Sequence, residues 1–334
     1  MRSLRSIACL IAVFTMGWQA VGQSDLSKQS EELGKVHWYR NYDKAVQVAK
    51  KSNKDILILF QEVPGCATCR NYGHNVLSHP LMVEAIETSF VPLAIFNNRG
   101  GEDAKILKRY NEPSWNNPVV RIVDSKGKNL VRRIGGDYSA LTLLQRMKES
   151  LVSRGESIPA YMTLLEQELS AQKTGSLKEK HFQMFCFWTG EKQLGKVEGV
   201  LNTESGFMKQ GEVVKVTYDS KVIDENELES FAKRNSFRPV DPDKTYRTAS
   251  HDVHYYLKHT DYKYLPLTPL QQTKINSALG SRKNPELYLS PRQKQWLNEV
   301  RESSLKPKVL MNTDFIAAWS FKEKQKTVSL ASNK

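Results

Sequence analysis

The stretch Asp55-Ile56-Leu57-Ile58-Leu59-Phe60-Gln61-Glu62-Val63-Pro64-Gly65-Cys66-Ala67-Thr68-Cys69 decides the fold of the first half of this 334-residue chain. Its apolar run predicts a buried β-strand, and the Pro-Gly pair predicts a loop. Cys66 and Cys69 then open a helical segment. A helix N-terminus places backbone N–H groups and the positive end of the helix dipole beside the first sulfur, which favours the thiolate of Cys66.

Apolar runs on the carboxyl side of this stretch predict further strands at 90–96, 119–123 and 130–134. The second of these strands follows Asn117-Pro118. Periodic leucines then predict helices at 138–152 and 158–172, with a boundary near residues 173–177.

The order of strand, loop, C-x-x-C and helix resembles the thioredoxin family over roughly residues 35–152. The resemblance implies an α/β fold in which Cys66 and Cys69 form a redox pair and Pro118 is a cis-proline beside it. The run Val63-Pro64-Gly65-Cys66 also resembles an exported bacterial group in which selenocysteine can replace the first cysteine.

Zinc binding is the alternative interpretation of the C-x-x-C motif, since two cysteines at this spacing form half of many zinc sites. The sequence contains no second C-x-x-C, and the strand–loop–helix context favours redox chemistry. Ala67-Thr68 between the cysteines leaves the reduction potential open.

Another cysteine lies in Phe185-Cys186-Phe187-Trp188-Thr189-Gly190-Glu191. A thiolate can attack an electrophilic sulfur, and an adjacent Phe-Trp pair can form an apolar cup for a methyl group. The stretch resembles the Gly-Cys-Phe-Trp-Gly-x-Glu signature of the A-type peptide methionine sulfoxide reductases, and the resemblance covers roughly residues 180–250. A predicted order of strand 181–187, helix 191–197, strands 201–207 and 212–219, and helix 225–231 is typical of an α+β domain of the split βαβ type.

This second resemblance implies a role for each residue that matches a functional position of the family. Cys186 corresponds to the nucleophile, Phe187 and Trp188 to the pair that holds the substrate methyl group, and Glu212 to the acid that protonates the sulfoxide oxygen. The family also carries an Asp followed five positions later by Tyr-Arg, which Asp241 and Tyr246 reproduce, and the Tyr246 hydroxyl is expected to hold the same oxygen. Glu191 corresponds to a glutamate with a structural role.

Three departures from the family pattern bear on activity. Phe185 and Thr189 replace glycines beside the nucleophile, and the short loop 208–211 lacks the family's second active-site tyrosine. No cysteine follows Cys186 to resolve a sulfenic acid. We therefore expect Cys66 to resolve Cys186 through a mixed disulfide that Cys69 releases.

The N-terminus indicates export. Arg2 and Arg5 precede an apolar run at 7–18 that is too short to span a bilayer, and Ala20-Val21-Gly22 offers small residues for cleavage. A retained anchor is the less favoured alternative, and no stable membrane insertion is expected. The expected organisation is a signal peptide at 1–22, a thioredoxin-like domain at 30–155, a helical connector at 156–179, and a methionine sulfoxide reductase-like domain with a helical extension at 180–330. A periplasmic location follows if the source is Gram-negative.

The formal charge of +13 raises the question of an anionic partner. The basic residues are spread along the chain without an arginine-rich block, which favours a solubilising surface over nucleic-acid binding. His251, His254 and His259 form a conceivable metal set, although their spacing favours a polar strand face. Thr268-Pro269 and Ser290-Pro291 predict helix starts, and these helices are expected to pack on the second domain.

The sequence thus predicts thiol-dependent reduction of methionine sulfoxide, free or in proteins, with no organic cofactor, no metal and an external thiol reductant. Two other functions stay open. One is an exported thiol:disulfide oxidoreductase whose second domain binds substrate without catalysis. The other is a metal-handling protein that uses the three thiols.

Overall fold

The computed structural model describes residues 25–331. The expected signal peptide at 1–22 lies outside the described residues. Within residues 25–331, no helix is both long enough and apolar enough to cross a membrane.

The first domain is built on a four-stranded sheet with helices on both faces. Its strands are β1 (Asp55–Gln61), β2 (Phe90–Phe96), β3 (Val119–Val123) and β4 (Ile134–Gly135), and its helices are α1 (Tyr42–Ser52), α2 (Ala67–Asn75), α3 (Pro80–Ser89), α4 (Glu102–Tyr110) and α5 (Ala140–Ser153). The strand order is β2-β1-β3-β4, with β1 parallel to β2 and antiparallel to β3. This is the predicted thioredoxin-like fold.

Alternation along β1 divides the core into two layers. Ile58 and Phe60 pack with residues of α1 and α4. Leu57 and Leu59 point to the other face and pack with residues of α2, α3 and α5. Because both faces are covered, every residue of β1 is buried, as its apolar sequence predicts.

The second domain follows α6 (Ala160–Thr174), which packs against α5 and α3 of the first domain. Its elements are β5 (Leu177–Met184), α7 (Phe187–Leu194), β6 (Val200–Met208), β7 (Gly211–Asp219), α8 (Glu225–Arg234), β8 (Arg238–Val240) and β9 (Arg247–Thr248). The sheet order is β8-β5-β7-β6-β9, so the antiparallel strand β7 separates β5 from β6. This arrangement is the predicted split βαβ fold.

Two predicted strands differ from the structure. Residues 130–134 contribute only Ile134 to β4. The strand expected at 181–187 instead begins at Leu177 and ends at Met184, so that Cys186 follows it and Phe187 begins a helix. The first half of β5 is polar, and backbone pairing with β7 rather than an apolar pattern holds it in the sheet.

The C-terminal extension contains α9 (Tyr255–Lys258), α10 (Pro269–Gly280), α11 (Pro291–Glu302) and α12 (Phe315–Ala331). Thr268 and Ser290 are N-caps followed by proline, as predicted, and each also forms a capping box. Helix α10 packs on α7 and β6 of the second domain.

The expectation that these helices pack on the second domain is incomplete for α11: its Gln293 bonds to Gln271 of α10, as expected, but the helix also contacts the first domain. The Arg292 N–H at the start of α11 donates to Glu84 Oε2 of α3 at 2.8 Å. Trp296 of α11 and Trp319 of α12 belong to the same hydrophobic cluster as the α3 side of the first domain. The extension therefore contacts both domains.

Candidate active site

The first candidate site is the cysteine pair at the start of α2. Cys66 is the N-cap of this helix and is exposed, whereas Cys69 is fully buried. Their sulfur atoms lie 3.7 Å apart. The Cys69 thiol donates to Asn117 Oδ1 at 2.8 Å, and the Asn117–Pro118 peptide bond is cis.

The two thiols differ in acidity because one lies at a helix terminus and the other is buried. The backbone N–H of Cys69 is the main contact that lowers the pKa of Cys66. Burial raises the pKa of Cys69 from 9.0 to about 12. Cys66 is therefore the nucleophile of the pair, and Cys69 is the protonated partner that attacks second.

A segment that precedes the thioredoxin-like sheet holds the loop before Cys66. Glu32 is buried, and its Oε1 accepts from the Gly65 N–H at 2.7 Å. Gln61 Nε2 donates both to the backbone oxygen of Glu32 at 2.7 Å and to that of Cys69 at 3.2 Å. These bonds fix the loop that carries Cys66 against the end of β1.

A carboxylate also lies beside the pair. One ligand atom each of Glu62, Cys66 and Cys69 lie within 4.8 Å of one another, and this is the only such group of three among the described residues. His251, His254 and His259 form no such group there. His254 is buried, whereas His251 and His259 are exposed, so the three histidines do not share one environment.

The second candidate site surrounds Cys186, which is half-exposed and is the N-cap of α7. The Phe187 N–H, the first of this helix, donates to Glu212 Oε2 at 2.8 Å. Glu212 lies on β7 opposite Met184 of β5 and Phe207 of β6. The structure therefore brings the carboxyl group of Glu212 to the residue adjacent to Cys186.

Aromatic residues form one side of this site. The Phe187 ring is buried and packs edge-on against Phe207, with centroids 5.4 Å apart. The Trp188 ring is half-buried and stacks on Tyr255, with centroids 3.9 Å apart and planes inclined by 20°. Trp188 Nε1 donates to Asp252 Oδ1 at 3.1 Å. Phe185, in contrast, is 99% exposed.

Glu191 has the structural position that the sequence predicts. Its carboxyl group is fully buried and accepts from the Ser205 N–H at 3.2 Å and from the His254 N–H at 2.9 Å. Burial raises its pKa well above 4.5. Glu191 thus joins α7 to β6 and to the turn before α9.

The structure does not bring Tyr246 to the Cys186 site. Its hydroxyl donates to Glu204 Oε1 at 2.7 Å, and its ring covers Gly206 and lies against His181. Side chains alternate along β6, so Glu204 and Gly206 face away from Phe207 and Glu212. The correct sequence spacing therefore places Tyr246 on the opposite face of the sheet.

Asp241 also lies apart from the contacts described around Cys186. It is exposed and follows β8, which pairs with β5 at one edge of the sheet. In the sheet, β5 lies between β8 and β7, the strand that carries Glu212. Cys186 follows the C-terminal end of β5, whereas Asp241 lies towards the other end of that strand. The Asp–Tyr spacing of the family therefore matches, in this chain, one residue at an edge of the sheet and one on the face away from Glu212.

Sequence reasoning missed Asp252 and Tyr255, which contact Trp188 two residues after Cys186. The Tyr-rich run that contains them is visible in the sequence, but it predicts a strand face, whereas Tyr255 begins α9. The long-range contact with Trp188 leaves no periodic signal in the sequence.

Comparison with known proteins supports both halves of this description. Residues 37–125 match the family model described as thioredoxin-like. A peptide methionine sulfoxide reductase from Methanococcus maripaludis is 38% identical in an alignment that covers 19% of this chain and 50% of the relative. The chain therefore spans about half the length of that curated relative.

Two solved structures align with lower similarity. The DsbH oxidoreductase is 16% identical, with a TM-score of 0.31, and the match covers 39% of this chain and 94% of that protein. A thioredoxin from Thermus thermophilus is 22% identical, with a TM-score of 0.32, and the match covers 36% of this chain and 90% of that protein.

The fold, the cysteine pair and the family match define the class of the first half, which is a thioredoxin-like oxidoreductase domain with redox-active Cys66 and Cys69. This domain is fused to an α+β domain, in a chain that is similar to a peptide methionine sulfoxide reductase.

Proposed function

We propose that this protein reduces methionine sulfoxide to methionine at Cys186 and that its thioredoxin-like domain returns Cys186 to the thiol. The observation that carries the proposal is the 2.8 Å bond between Glu212 Oε2 and the Phe187 N–H, which sets an acid beside a half-exposed cysteine. An acid and a nucleophile side by side are what sulfoxide reduction requires, because the oxygen leaves sulfur only when it is protonated.

The proposed first half-reaction transfers oxygen between two sulfur atoms. Glu212 gives a proton to the sulfoxide oxygen, and the Cys186 sulfur attacks the substrate sulfur. This attack forms a bond between the two sulfur atoms. The protonated oxygen then transfers from the substrate sulfur to the Cys186 sulfur as that S–S bond breaks, so that Cys186 becomes a sulfenic acid, oxidised by two electrons, and the substrate sulfur becomes a thioether. Trp188 and the edge of Phe187 receive the methyl group of the substrate.

The proposed second half-reaction uses the cysteine pair. The Cys66 thiolate attacks the Cys186 sulfenic acid, which releases water and forms a Cys66–Cys186 disulfide. Cys69 then attacks Cys66, which frees the Cys186 thiol and leaves a Cys66–Cys69 disulfide for an external thiol to reduce. Fusion of the domains raises the local thiol concentration to the order of millimolar if the two sites can meet.

The resemblance to the A-type reductases indicates the S epimer of peptide-bound or free methionine sulfoxide as substrate. The N-terminal sequence supports an exported protein whose reductant lies outside the cytoplasm. Mass spectrometry of the mature N-terminus in a fractionated host would test export, and an intact Met1 would argue against it.

A turnover assay tests the first half-reaction. With a methionine sulfoxide peptide and dithiothreitol, Cys186→Ser is expected to abolish product and Glu212→Gln to lower kcat/KM by about 10²–10⁴-fold. Cys69→Ser serves as the control, because dithiothreitol can reduce Cys186 directly. No turnover by the intact protein would contradict the proposal.

A trapping experiment tests the second half-reaction. In Cys69→Ser protein treated with the sulfoxide and no added thiol, a Cys66–Cys186 disulfide is expected in the tryptic digest. Gel mobility without reductant then separates a bridge within one chain from a bridge between two chains. If Cys186 is oxidised and neither bridge forms, Cys66 does not resolve it.

A thiol:disulfide oxidoreductase with a non-catalytic second domain is the second candidate. The orientation of Tyr246 towards Glu204, together with the short loop at 208–211, favours it because neither family tyrosine then serves Cys186. Reduction of insulin disulfides without any turnover of methionine sulfoxide would support this candidate.

A further inference from the structure

The two redox sites carry the most exposed aromatic side chains of the described residues. Phe185, directly before Cys186, is 99% exposed, and Trp115 is 80% exposed. Trp115 lies in the loop that contains Asn117, whose Oδ1 accepts from the Cys69 thiol at 2.8 Å. Single exposed apolar side chains are common, but a bare aromatic ring beside each of two sites that must exchange electrons indicates a surface that binds another surface.

The chain does not cover either ring by its own folding. A disulfide between Cys66 and Cys186 would bring their sulfur atoms to about 2 Å and press the surroundings of the two sites together. Cys66 is exposed and Cys186 is half-exposed, as are the rings beside them. Within the described residues, the two sites are therefore not in contact with each other.

Packing between the domains holds this arrangement. Trp296 of α11 is buried in the hydrophobic cluster of the first domain, and the Arg292 N–H donates to Glu84 Oε2 of α3 at 2.8 Å. Gln293 of α11 bonds in turn to Gln271 of α10, which packs on the second domain. A meeting of the two sites within one chain would have to open these buried contacts, whereas a meeting between two chains leaves them intact.

Opposite charges lie beside the two sites. A carboxylate oxygen of the half-exposed Glu62 lies within 4.8 Å of both sulfur atoms of the cysteine pair. The exposed guanidinium of Arg247 lies 4.8 Å from the Phe207 ring, which packs against Phe187 next to Cys186. Among the described residues, neither charge is neutralised by a salt bridge. The two surfaces are thus complementary in charge as well as apolar.

We propose that Cys66 of one copy of this chain resolves Cys186 of a second copy. The inference rests on the proposed function and names the partner in its second half-reaction. The contact comprises Trp115 and Glu62 on the first copy and Phe185 and Arg247 on the second. Because every chain carries both surfaces, the contact is heterologous, and one chain can give electrons at one site and receive them at the other.

The exchange between copies follows ordinary thiol chemistry. The Cys66 thiolate attacks the sulfenic sulfur of Cys186 in the second copy, the S–O bond breaks, and the departing hydroxide takes up a proton and leaves as water. Cys69 then loses its proton and attacks Cys66. The Cys186 sulfur leaves as a thiolate, and the first copy keeps a Cys66–Cys69 disulfide.

A mixture of two complementary variants tests the proposal. The sulfoxide variant, Cys66→Ser/Cys69→Ser, keeps Cys186, and the relay variant, Cys186→Ser, keeps the reduced pair. With N-acetyl-methionine sulfoxide methylamide and no added thiol, the sulfoxide variant alone should form one thioether per chain. The premixed variants should form a second one while the pair of the relay variant is oxidised.

Comparison with the wild type decides between the two routes. At equal concentrations of both sites, the mixture should form the second thioether about as fast as wild-type protein does. A wild-type rate about tenfold or more above that of the mixture would show a relay within one chain, because tethering raises the local thiol concentration. That result would overturn the inference and leave the proposed function standing. A wild-type protein that forms no thioether would overturn both.

The exposed rings are tested in the same mixture. Trp115→Ala in the relay variant and Phe185→Ala in the sulfoxide variant should each slow the second thioether by about tenfold, because a buried aromatic contact is lost. The first thioether should form at an unchanged rate. Leu305→Ala, at an 82% exposed position between α11 and α12, is the matched control and should change neither rate. Unchanged rates in both ring variants would overturn the contact.

Charge reversal tests whether the two surfaces face each other. Glu62→Lys in the relay variant and Arg247→Glu in the sulfoxide variant should each slow the exchange, and the two together should restore most of the rate. The rescue is the readout, because Glu62 also lies beside the cysteine pair and can alter its reactivity. Losses that multiply in the combined mixture would overturn the contact. Circular dichroism shows whether each variant keeps the fold.

Discussion

At the scale of single residues, Cys66 and Cys69 have opposite properties although only two residues separate them. Cys66 is exposed at the first turn of α2, where backbone N–H groups stabilise its thiolate. Cys69 is one turn further along, fully buried and bonded to Asn117. The positions of the two cysteines in the first turn of α2 are therefore enough to assign their roles: Cys66 attacks the oxidised substrate, and Cys69 attacks Cys66 to release the mixed disulfide.

Alkylation as a function of pH tests this assignment. The pKa of Cys66 is lowered from 9.0 and that of Cys69 is raised to about 12, so at pH 7 only Cys66 carries a reactive thiolate fraction. In reduced Cys186→Ser protein, iodoacetamide should add once, at Cys66, with an apparent pKa below 9.0. Two adducts at pH 7, or an apparent pKa above 9.0, would contradict the assignment.

Glu32 is expected to set the acidity of Cys66 further. Its buried carboxylate bonds to Gly65, so its negative charge opposes a thiolate on the next residue with little screening by water. Glu32→Gln keeps an oxygen for the Gly65 N–H but removes the charge. The apparent pKa of Cys66 should therefore fall, and the equilibrium with glutathione should shift towards the dithiol.

The control for this variant is Glu31→Gln. Glu31 is half-exposed and forms ion pairs with Arg70 and His74, so solvent screens its charge. An effect of Glu31→Gln as large as that of Glu32→Gln would show that burial of Glu32 is not the cause.

At this scale the sequence predicted the residues of the cysteine pair better than those of the Cys186 site. Cys66, Cys69 and Pro118 are fixed by local order along a strand, a loop and a helix. The contacts between Glu32 and Gly65 and between Asp252 and Trp188 join residues 33 and 64 positions apart, respectively. Neither contact creates a spacing that a motif could capture.

At the scale of elements, the alternation of side chains in the second sheet decides which predicted residues can meet. Arg247 pairs with Phe207 in the ladder between β9 and β6, and its guanidinium lies 4.8 Å from the Phe207 ring. Arg247 therefore shares the face of Phe187 and Glu212, while the preceding Tyr246 faces the other side. Successive side chains of a strand point to opposite faces of the sheet. A sequence motif therefore does not tell which of two consecutive residues faces Cys186.

Tyr246→Phe is expected to act on stability. Loss of the 2.7 Å bond to the Glu204 carboxylate should reduce the free energy of unfolding by about 1–2 kcal/mol, since the acceptor is charged but partly solvated. Urea denaturation monitored by circular dichroism measures this change. A fall of kcat/KM beyond tenfold with unchanged stability would instead place Tyr246 in the reaction.

Element boundaries were predicted well where apolar patterns are complete and poorly where they are not. The buried strand β1 and the helix starts at Thr268 and Ser290 follow from local composition and capping. The polar first half of β5 does not, because its place in the sheet depends on β7, more than thirty residues away. The helix predicted at 191–197 begins earlier, at Phe187, which was predicted as the last residue of a strand because aromatic residues suit both.

At the scale of the whole molecule, the two domains share hydrophobic packing. Trp296 and Trp319 of the extension join the cluster that contains Leu57 and Met82 of the first domain. Leu164 of α6 joins a smaller cluster with Leu201 and Leu270. Apolar periodicity predicted that α11 has a buried face, but it does not state which partner covers that face.

Glu168 links α6 to α10 and should make the stability of this joint depend on pH. Its Oε1 accepts from the Leu270 N–H at 3.0 Å, at the start of α10, and burial raises its pKa from 4.5 to about 7. A carboxyl group whose pKa is higher in the folded state stabilises the fold fully below pH 4.5. That contribution is lost as the pH rises through about 7.

Glu168→Gln tests this dependence because it keeps an acceptor and cannot ionise. Urea unfolding at pH 5, 6, 7 and 8 should show a smaller loss of stability with rising pH in this variant than in the wild type. Glu302→Gln, at an exposed position on α11, controls for the removal of one negative charge and should follow the wild-type curve. Parallel curves for wild type and Glu168→Gln would mean that Glu168 ionises freely in the folded protein and that its contact with α10 adds no pH dependence to the joint between the domains.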